Sequence, residues 1–448
     1  MAGCSVRCRA HCLDPCWTRF YSFPGAVAGP RVCHLDSGCD CVSLAMPEPD
    51  FRAHPYRWVV LASFMVIAAM SQVLWITFAP ITIEAARFYG TSDLMIGLLS
   101  MSFMVIYILI VIPSAWAIDT WGLRAAVGLG AGLTAVFAAT RGVFAGSFPL
   151  VLASQIGLAV GQPFILGSIT KVAARWFPVR ERATATGLGT LALYIGPLAA
   201  MWLTPPLTIR YGMRNMLLIY GAAAIIAAAL FFALFRERPP TPAGHDERAL
   251  MLDGLKGMLR QKDFILLMVI FFVGLGIFNG VSTWIESIIR PRGFTIAQAG
   301  TLGALMLLGG IVGAIAIPIL SDLGRRRRAF IIVSLIGMIP GLVGITFATS
   351  YRLLLLSGFI FGFFLLSSGP IGFQYGAEIT HPAPEGTSNS LLLVMGQVSG
   401  IIFIVCMDAF KSAGGVMTGS MLALIALTAA GAVLATVLKE SPVAASRR

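Results

Sequence analysis

The chain has 448 residues, of which 57% are hydrophobic and 12% charged, and its mean hydropathy is +0.86. Soluble proteins carry about 25% charged residues, so this composition excludes an ordinary soluble fold. Because one bilayer crossing takes about 20 apolar residues, the length accommodates roughly a dozen membrane helices and leaves no room for a large soluble domain. The net charge of +12 comes from basic residues between apolar stretches, which favours positively charged cytoplasmic loops over nucleic-acid binding.

Residues 1–45 differ from everything that follows. They contain His11, His34 and seven of the eight cysteines, which are Cys4, Cys8, Cys12, Cys16, Cys33, Cys39 and Cys41. Cysteine and histidine are zinc ligands, so a metal-binding tail is one interpretation, but Cys-x3-Cys-x3-Cys-x3-Cys is not a paired CxxC pattern. We favour a disordered tail or translation from an upstream start, with Met46 as the working initiator. We expect no metal site and no cofactor.

Twelve apolar segments follow, each long enough to cross a bilayer. They are 57–83, 94–118, 123–144, 149–174, 184–206, 214–235, 264–289, 296–320, 329–348, 353–377, 387–410 and 417–438. The longest polar stretch separates the sixth from the seventh and contains Pro239, Pro240 and Pro242. The predicted organisation is a six-helix half at 46–235, a cytoplasmic linker at 236–263, a second half at 264–438 and a cytoplasmic tail at 439–448.

The distribution of basic residues predicts the orientation. From Met46 onward, 20 Lys and Arg residues lie on the side of the N-terminus and 8 on the other side. Because Lys and Arg resist translocation, both ends of the chain are predicted to be cytoplasmic. We expect a multi-pass protein of the cell membrane, plasma or inner, that works as a monomer.

The two halves also repeat each other. Asp119 follows the second segment and Asp322 the eighth, 203 residues later. Glu181 follows the fourth segment and Glu385 the tenth, 204 residues later. Two independent landmarks at nearly one offset indicate a duplicated six-helix unit.

The loops at these aspartates carry a resemblance. Asp119-x2-Gly-x-Arg124 and Asp322-x-Gly-Arg325-Arg-Arg resemble the cytoplasmic signature of the major facilitator superfamily. The resemblance implies an all-α membrane protein with twelve transmembrane helices in two pseudo-symmetric halves, which these loops latch on the cytoplasmic side. Aspartates at helix ends pair well with arginines, so a latch is physically sound, although the arginines could also serve topology alone. The candidate cytoplasmic gate is Asp119, Arg124, Asp322, Arg325 and Glu378, with Lys171 or Arg175 as the partner of Glu378.

A narrower resemblance covers about Tyr56 to Lys439. The chain looks like the feline leukaemia virus subgroup C receptor-related transporters, on motifs that occur in the family's order. These are Gly122-Leu-Arg124, Gln162-Pro-Phe-Ile-Leu-Gly167, Trp176-Phe177, Gly372-Phe-Gln-Tyr-Gly-Ala-Glu378-Ile-Thr-His-Pro382-Ala-Pro-Glu385-Gly386 and Gln397-Val-Ser-Gly400-Ile-Ile-Phe403.

Four side chains are candidates for the substrate site. Gln162, Asn279 and Gln397 fall near mid-depth of the fourth, seventh and eleventh segments, and Trp75 lies in the outer part of the first. Polar groups at that depth are tolerated where they line a cavity. A membrane amide can instead bridge two helices, and a Trp near a boundary can belong to the aromatic belt. In the resembled superfamily the first, fourth, seventh and eleventh helices line the cavity, so the four could converge.

The chemistry follows from what the segments lack. Their central portions contain no Asp, Glu, Lys or Arg, which argues against a deep carboxylate relay and against a strongly anionic substrate. An indole and amides suit an organic cation or a neutral amino alcohol. The resembled family is associated with choline, ethanolamine and haem, and its aromatic cage and glutamines are matched by Trp75, Gln162 and Gln397. Asn279 departs from the family, which has an aromatic residue there.

The predicted function is therefore transport of a small polar or cationic organic solute, choline-like or ethanolamine-like, by facilitative alternating access. The partners we expect are that solute and the lipid bilayer, without nucleic acid. Two alternatives stay open: a facilitator for another solute such as haem or an organic ion, and a receptor that uses the same fold without transport. No segment contains a His that could ligate haem. The one cluster that could suggest an enzyme is His381 with Glu378 and Glu385, and Pro382 beside it indicates a loop.

Overall fold

A computed structural model describes residues 54–240, 255–324, 326–381, 385–412 and 414–440. Among these residues every regular element is a helix. The first half contains α1 (Arg57–Ile76), α2 (Thr82–Tyr89), α3 (Asp93–Thr120), α4 (Leu123–Val143), α5 (Phe148–Leu166), α6 (Ile169–Trp176) and α7 (Val179–Leu234). The second contains α8 (Leu255–Met258), α9 (Lys262–Thr283), α10 (Ile285–Ile289), α11 (Ile296–Gly324), α12 (Arg327–Phe347), α13 (Tyr351–Thr380), α14 (Glu385–Ala409) and α15 (Thr418–Ala435).

Eleven helical stretches of the described chain are long and apolar enough to cross a membrane. One of them, α7, has 56 residues and is interrupted at Gly212, whose φ of 77° and ψ of 166° are not helical. At 1.5 Å per residue, 56 residues measure about 84 Å, enough for two crossings of a hydrocarbon core about 30 Å thick. The predicted fifth and sixth segments both lie in α7, one on each side of Gly212. The predicted all-helical membrane fold is confirmed.

Three predicted segments are broken rather than continuous. The first ends as α1 at Ile76 and continues through a 3-10 turn, Ala79–Ile81, into α2. The fourth divides into α5 and α6, and the seventh ends at Thr283 before the short α10. Pro80 and Pro163 lie at the first two breaks, where proline removes a backbone donor. The breaks at the ends of α1 and α9 occupy equivalent places in the two halves.

Close helix pairs depend on glycine. In the second half, a Cβ added at Gly362 of α13 would collide with Met306 O of α11, and one at Gly313 of α11 would collide with Phe363 O of α13. In the first half, Gly130 of α4 faces Gly161 O of α5, where a Cβ would come within 2.7 Å. Small residues let helix backbones approach, which is the usual way that membrane helices associate.

The helix bundle has two ends, the Glu84 end and the Asp119 end. The Glu84 end carries Glu84, the α4–α5 turn, Gly212 and the α9–α11 connection, and the Asp119 end carries the Asp119 and Asp322 loops. The halves meet through α3 against α14 and α7 against α11. Trp284 lies within 3.2 Å of a Cβ added at Gly97, close to the Glu84 end.

Candidate functional site

Trp75 lies at the point where α1 stops being a regular helix. Its side chain is 9% exposed. The preceding carbonyl, Leu74 O, accepts hydrogen bonds from Arg141 Nη1 at 3.1 Å and from Gln155 Nε2 at 3.2 Å. These donors satisfy a carbonyl at the helix end that no longer has a helical partner. The backbone beside Trp75 is therefore fixed by α4 and α5.

Gln162 lies in α5, which packs against α1. Its side chain is 6% exposed and is followed by Pro163. It makes no hydrogen bond to another residue that the structure describes, so the amide is not used as a bridge between described helices. Trp75 and Gln162 thus lie on neighbouring helices of the first half.

Asn279 and Gln397 lie on α9 and α14, which also pack against each other. Asn279 is 7% exposed, and its Nδ2 donates to Gly396 O at 3.1 Å. Asn279 therefore bridges α9 and α14, and the residue that it contacts in α14 directly precedes Gln397. Gln397 is half-buried and, within the described ranges, makes no hydrogen bond of its own.

Gln72 was missed by the sequence analysis. It lies three residues before Trp75 on the same face of α1 and is 5% exposed. Its Nε2 is buried without a hydrogen-bond partner in the described part of the chain. A Cβ added at Gly196 of α7 would come within 2.6 Å of Gln72 Cβ, so the residue is held against that helix. The feature of the sequence that could have identified Gln72 is the same as for Gln162: a glutamine near the middle of an apolar segment.

Arg141 was also missed, although it lies near the end of the third predicted segment. It is completely buried. Besides Leu74 O, it reaches Gln155 Oε1 at 2.8 Å and Thr77 Oγ1 at 3.4 Å, and its guanidinium lies over Phe78, 5.5 Å from the ring centroid. Arg141 thus ties α4 to the broken end of α1 rather than serving topology alone.

Polar contacts between the halves are found at the Glu84 end. Glu286 Oε2 accepts from Ile83 N at 2.8 Å, and Arg290 Nη2 pairs with Glu84 Oε1 at 2.9 Å. A second ion pair joins Asp93 at the start of α3 to Lys411 after α14. These contacts close the bundle at this end.

Each predicted cytoplasmic gate residue that the structure describes bonds to a residue of its own half or, for Arg124, to Glu237 just after α7. Asp119 pairs with Lys171 at 2.7 Å, and the backbone N of Arg124 donates to Glu237 at 2.5 Å. Asp322 pairs with Arg327, which also reaches Glu378 at 3.3 Å. Arg325 lies outside the described residues.

The suggested pairing of Glu378 with Lys171 or Arg175 is not present in this conformation. Arg175 pairs with Glu237, and Glu378 with Arg327 and, at 2.9 Å, with Gln374. The physical reason is that the two halves are joined at the opposite end, so each carboxylate finds a cation on its own side.

Three comparisons bear on the family. A family model described as "Major Facilitator Superfamily" matches residues 60–404. "Solute carrier family 49 member A3" of Danio rerio is 30% identical over 381 residues, covering 81% of this chain and 80% of that protein. "Choline/ethanolamine transporter FLVCR1" of Felis catus is 29% identical over 383 residues, covering 80% and 68%.

Among solved structures, a bacterial homologue of the human lysosomal transporter Spinster, in an inward-facing and unoccupied conformation, superposes with a TM-score of 0.69. Its sequence identity is 16%, and the match covers 86% of this chain and 97% of that one. This likeness shows the fold. Together with the family model, it confirms the resemblance drawn from the Asp119 and Asp322 loops: the chain belongs to the major facilitator superfamily of membrane transporters.

Proposed function

We propose that the protein carries a small organic cation or amino alcohol of the choline and ethanolamine class across the membrane. The observation that carries the proposal is that Trp75 and Gln162 lie buried on packed helices of one half while the Gln162 amide is not used as a bridge between described helices. In the second half, the amide of the half-buried Gln397 is likewise not used as a bridge between described helices. Support also comes from relatives named as choline/ethanolamine transporters, at about 28% identity.

The substrate class follows from the side chains available. An indole face attracts an ammonium group, by about 2 kcal/mol when the pair is desolvated. The carboxamides of Gln162 and Gln397 can donate to, and accept from, the solute hydroxyl. An anion is disfavoured, because the buried cations Arg141 and Lys171 are already engaged by protein groups.

Asn279 shapes the selectivity between the two solutes. Its Nδ2 is engaged by Gly396 O, so its Oδ1 is the atom left for a ligand. A primary ammonium can donate to an amide oxygen, whereas a quaternary ammonium has no N–H. We infer that ethanolamine binds at least as tightly as choline, because one aromatic wall of the resembled family is replaced here by an amide.

Transport proceeds by facilitative alternating access between the halves. The contacts at the Glu84 end correspond to a state that is open at the Asp119 end. The excess of basic residues supports a cytoplasmic location for the Asp119 end and both termini. We further propose that the protein works as a monomer in the cell membrane. Asp119, Arg124, Asp322, Arg325 and Glu378 then act as the gate in the opposite state.

Uptake by proteoliposomes tests the proposal. The purified protein is assayed with radiolabelled choline and ethanolamine, with haem, and with tetraethylammonium as an organic cation that lacks a hydroxyl. We expect saturable uptake of choline and ethanolamine, each inhibiting the other, and at least tenfold slower uptake of haem and tetraethylammonium. Equal handling of all cations, or uptake of haem alone, would contradict the assignment. Absence of all uptake would favour a non-transporting receptor.

A further inference from the structure

Glu286 is a completely buried carboxylate at the boundary between the two halves. It lies in the first turn of α10, beyond the membrane-spanning helix Lys262–Thr283. That helix has 22 residues and measures about 33 Å, the full hydrocarbon thickness, so Glu286 lies at the level of the membrane boundary. Full burial of an acid at this level requires an explanation.

Two hydrogen bonds hold the carboxylate in place. Oε2 accepts from Ile83 N, in the first turn of α2, at 2.8 Å, and Oε1 accepts from Arg290 Nη1 at 3.4 Å. Arg290 also forms an ion pair with Glu84 of α2, with Nη2 at 2.9 Å from Oε1. Glu286 of the second half is therefore bound to the broken first helix of the other half. Any opening of the Glu84 end separates Glu286 from Ile83.

Charged groups of both signs surround Glu286. Arg290 follows it on its own side, while Glu84 of α2 and Asp93 of α3 add negative charge. These two acids also have basic partners, Arg87 for Glu84 and Lys411 for Asp93. Arg292, in the turn after α10, donates its hydrogen bonds to Ile345 O and Ala348 O and not to Glu286. The ends of α9, α11 and α12 that pack against α10 carry no titratable side chain.

Burial raises the pKa of Glu286 to about 7, while the hydrogen bond from Ile83 and the charge of Arg290 act in the opposite direction. When the Glu84 end opens, the carboxylate becomes hydrated and its pKa returns toward about 4.3. The closed arrangement therefore has the higher affinity for a proton. Proton binding stabilises closure fully below pH of about 4.3, and this stabilisation is lost as the pH rises through about 7.

We propose that Glu286 is a proton-binding site that makes the conformation of the transporter depend on pH: a proton on its carboxylate holds the Glu84 end closed and favours the state that is open at the Asp119 end. Because the proton binds and leaves on the same side, it regulates the carrier and does not drive accumulation. The inference rests on the alternating access of the proposed function, and it is independent of which solute is carried.

The test measures conformation and needs no substrate. Spin labels are placed at the Glu84 end on opposite halves, by Gly146→Cys and Arg352→Cys, in a background with the eight native cysteines replaced by serine. Both positions are exposed, and a Cβ at Gly146 meets no atom within 4 Å. Distance distributions from double electron-electron resonance in lipid nanodiscs then give the ratio of closed to open molecules at each pH.

Between pH 5.5 and pH 7.5 we expect the ratio of closed to open molecules to fall about 20-fold, from the difference in proton affinity between the two states. Glu286→Gln, which cannot titrate, is expected to abolish this change. Asp93→Asn is the matched control, because it removes the ion pair of Asp93 with Lys411 at the same end and leaves the Glu286 carboxylate able to titrate. Since the negative charge of Asp93 raises the pKa of Glu286, the midpoint of the titration should move to lower pH in this variant. The variant should raise the open fraction at every pH and keep the titration.

The Asp93→Asn background also makes the open state measurable if it is rare in the unmodified protein. Glu286→Asp is a second variant, which stays titratable and should retain a pH-dependent change. An unchanged distance distribution from pH 5.5 to 8.5 in both the unmodified protein and Asp93→Asn would overturn the proposal, as would an intact titration in Glu286→Gln. So would a response to replacing K⁺ by Na⁺ at fixed pH, which would identify a metal cation as the ligand. A failure of choline uptake leaves this readout unaffected, so the two proposals can fail separately.

Discussion

Asn279 Nδ2 donates to Gly396 O at 3.1 Å and thereby joins α9 to α14 next to Gln397. The same carbonyl accepts from Ser399 Oγ, also at 3.1 Å. The bridge explains how a polar residue is tolerated at this depth: one amide hydrogen is satisfied by the neighbouring helix, and the carbonyl group of the amide stays free to face a solute.

Asn279→Ala is predicted to change selectivity. Loss of the amide oxygen removes an acceptor for a primary ammonium but not for a quaternary one, so the KM for ethanolamine should rise about fivefold to tenfold relative to that for choline. Ser399→Ala is the matched control, because it removes the other donor to Gly396 O and leaves the amide of Asn279 in place. Competition between the two solutes in proteoliposomes measures the ratio. An equal change for both solutes would assign Asn279 a purely structural role.

Trp75→Ala is predicted to weaken choline binding about 30-fold, the equivalent of losing a desolvated contact of about 2 kcal/mol between the cation and the ring. Trp75→Phe should recover part of the loss, since a smaller aromatic face remains. Trp116→Ala is the control for a general effect of removing an indole, because Trp116 in α3 is 52% exposed on the outer surface of the bundle. The KM of choline uptake is the measurement, and a normal KM in Trp75→Ala would exclude this residue from the site.

The ion pair between Asp93 and Lys411 is predicted to stabilise the conformation closed at the Glu84 end. The two side chains are 19% and 20% exposed, so the pair is better shielded than one on an open surface. Asp93→Lys and Lys411→Asp should each raise the open fraction about tenfold, and the double exchange should restore most of it. Double electron-electron resonance distances between spin labels at Gly146→Cys and Arg352→Cys, measured at one fixed pH, give the open fraction. Additive effects in the double variant would mean that the two residues do not act as a pair.

The packing of α11 against α13 gives a prediction about stability. Gly362→Ala forces a methyl group onto Met306 O and should destabilise the protein by about 1 to 3 kcal/mol. Gly369→Ala lies in the same helix with no atom within 4 Å of the added carbon, so it should be neutral or slightly stabilising. Thermal unfolding in detergent compares the two variants. Equal midpoints would show that α11 and α13 separate readily at this contact.

Much of the fold could be predicted from the sequence, because the signals involved are long. Apolar segments of about 20 residues and landmarks at offsets of 203 and 204 indicate a duplicated bundle without any knowledge of contacts. The breaks at Ile76 and Thr283 could not be located, since the apolar pattern continues through both. Hydropathy reports that a segment is buried in lipid or protein, and it does not report where the helix unwinds.

The candidate site was predicted only in part. Gln162 and Asn279 have the same amide chemistry and similar depth, yet only Asn279 bonds to a neighbouring described helix. That difference depends on which side of each helix faces its neighbour. The contact of Glu286 with Ile83 joins residues 203 positions apart and has no motif. The only feature of the sequence that pointed to Glu286 was the presence of a carboxylate near the end of an apolar segment.

Arg141 is predicted to position the substrate site through the end of α1. It bonds to Leu74 O and Thr77 Oγ1 on either side of Trp75, so its removal frees the backbone that carries the indole. Arg141→Met should lower the free energy of unfolding by about 3 kcal/mol, because buried acceptors lose a charged donor. Arg141→Lys keeps the charge but cannot reach three acceptors at once, so it should preserve folding better and still raise the KM for choline severalfold. Arg87→Ala is the control at the same end, since that side chain is 67% exposed and should affect neither quantity. If Arg141→Lys had a normal KM, the position of Trp75 would have to be fixed by other contacts, with Gln155 Nε2 on Leu74 O the first to examine.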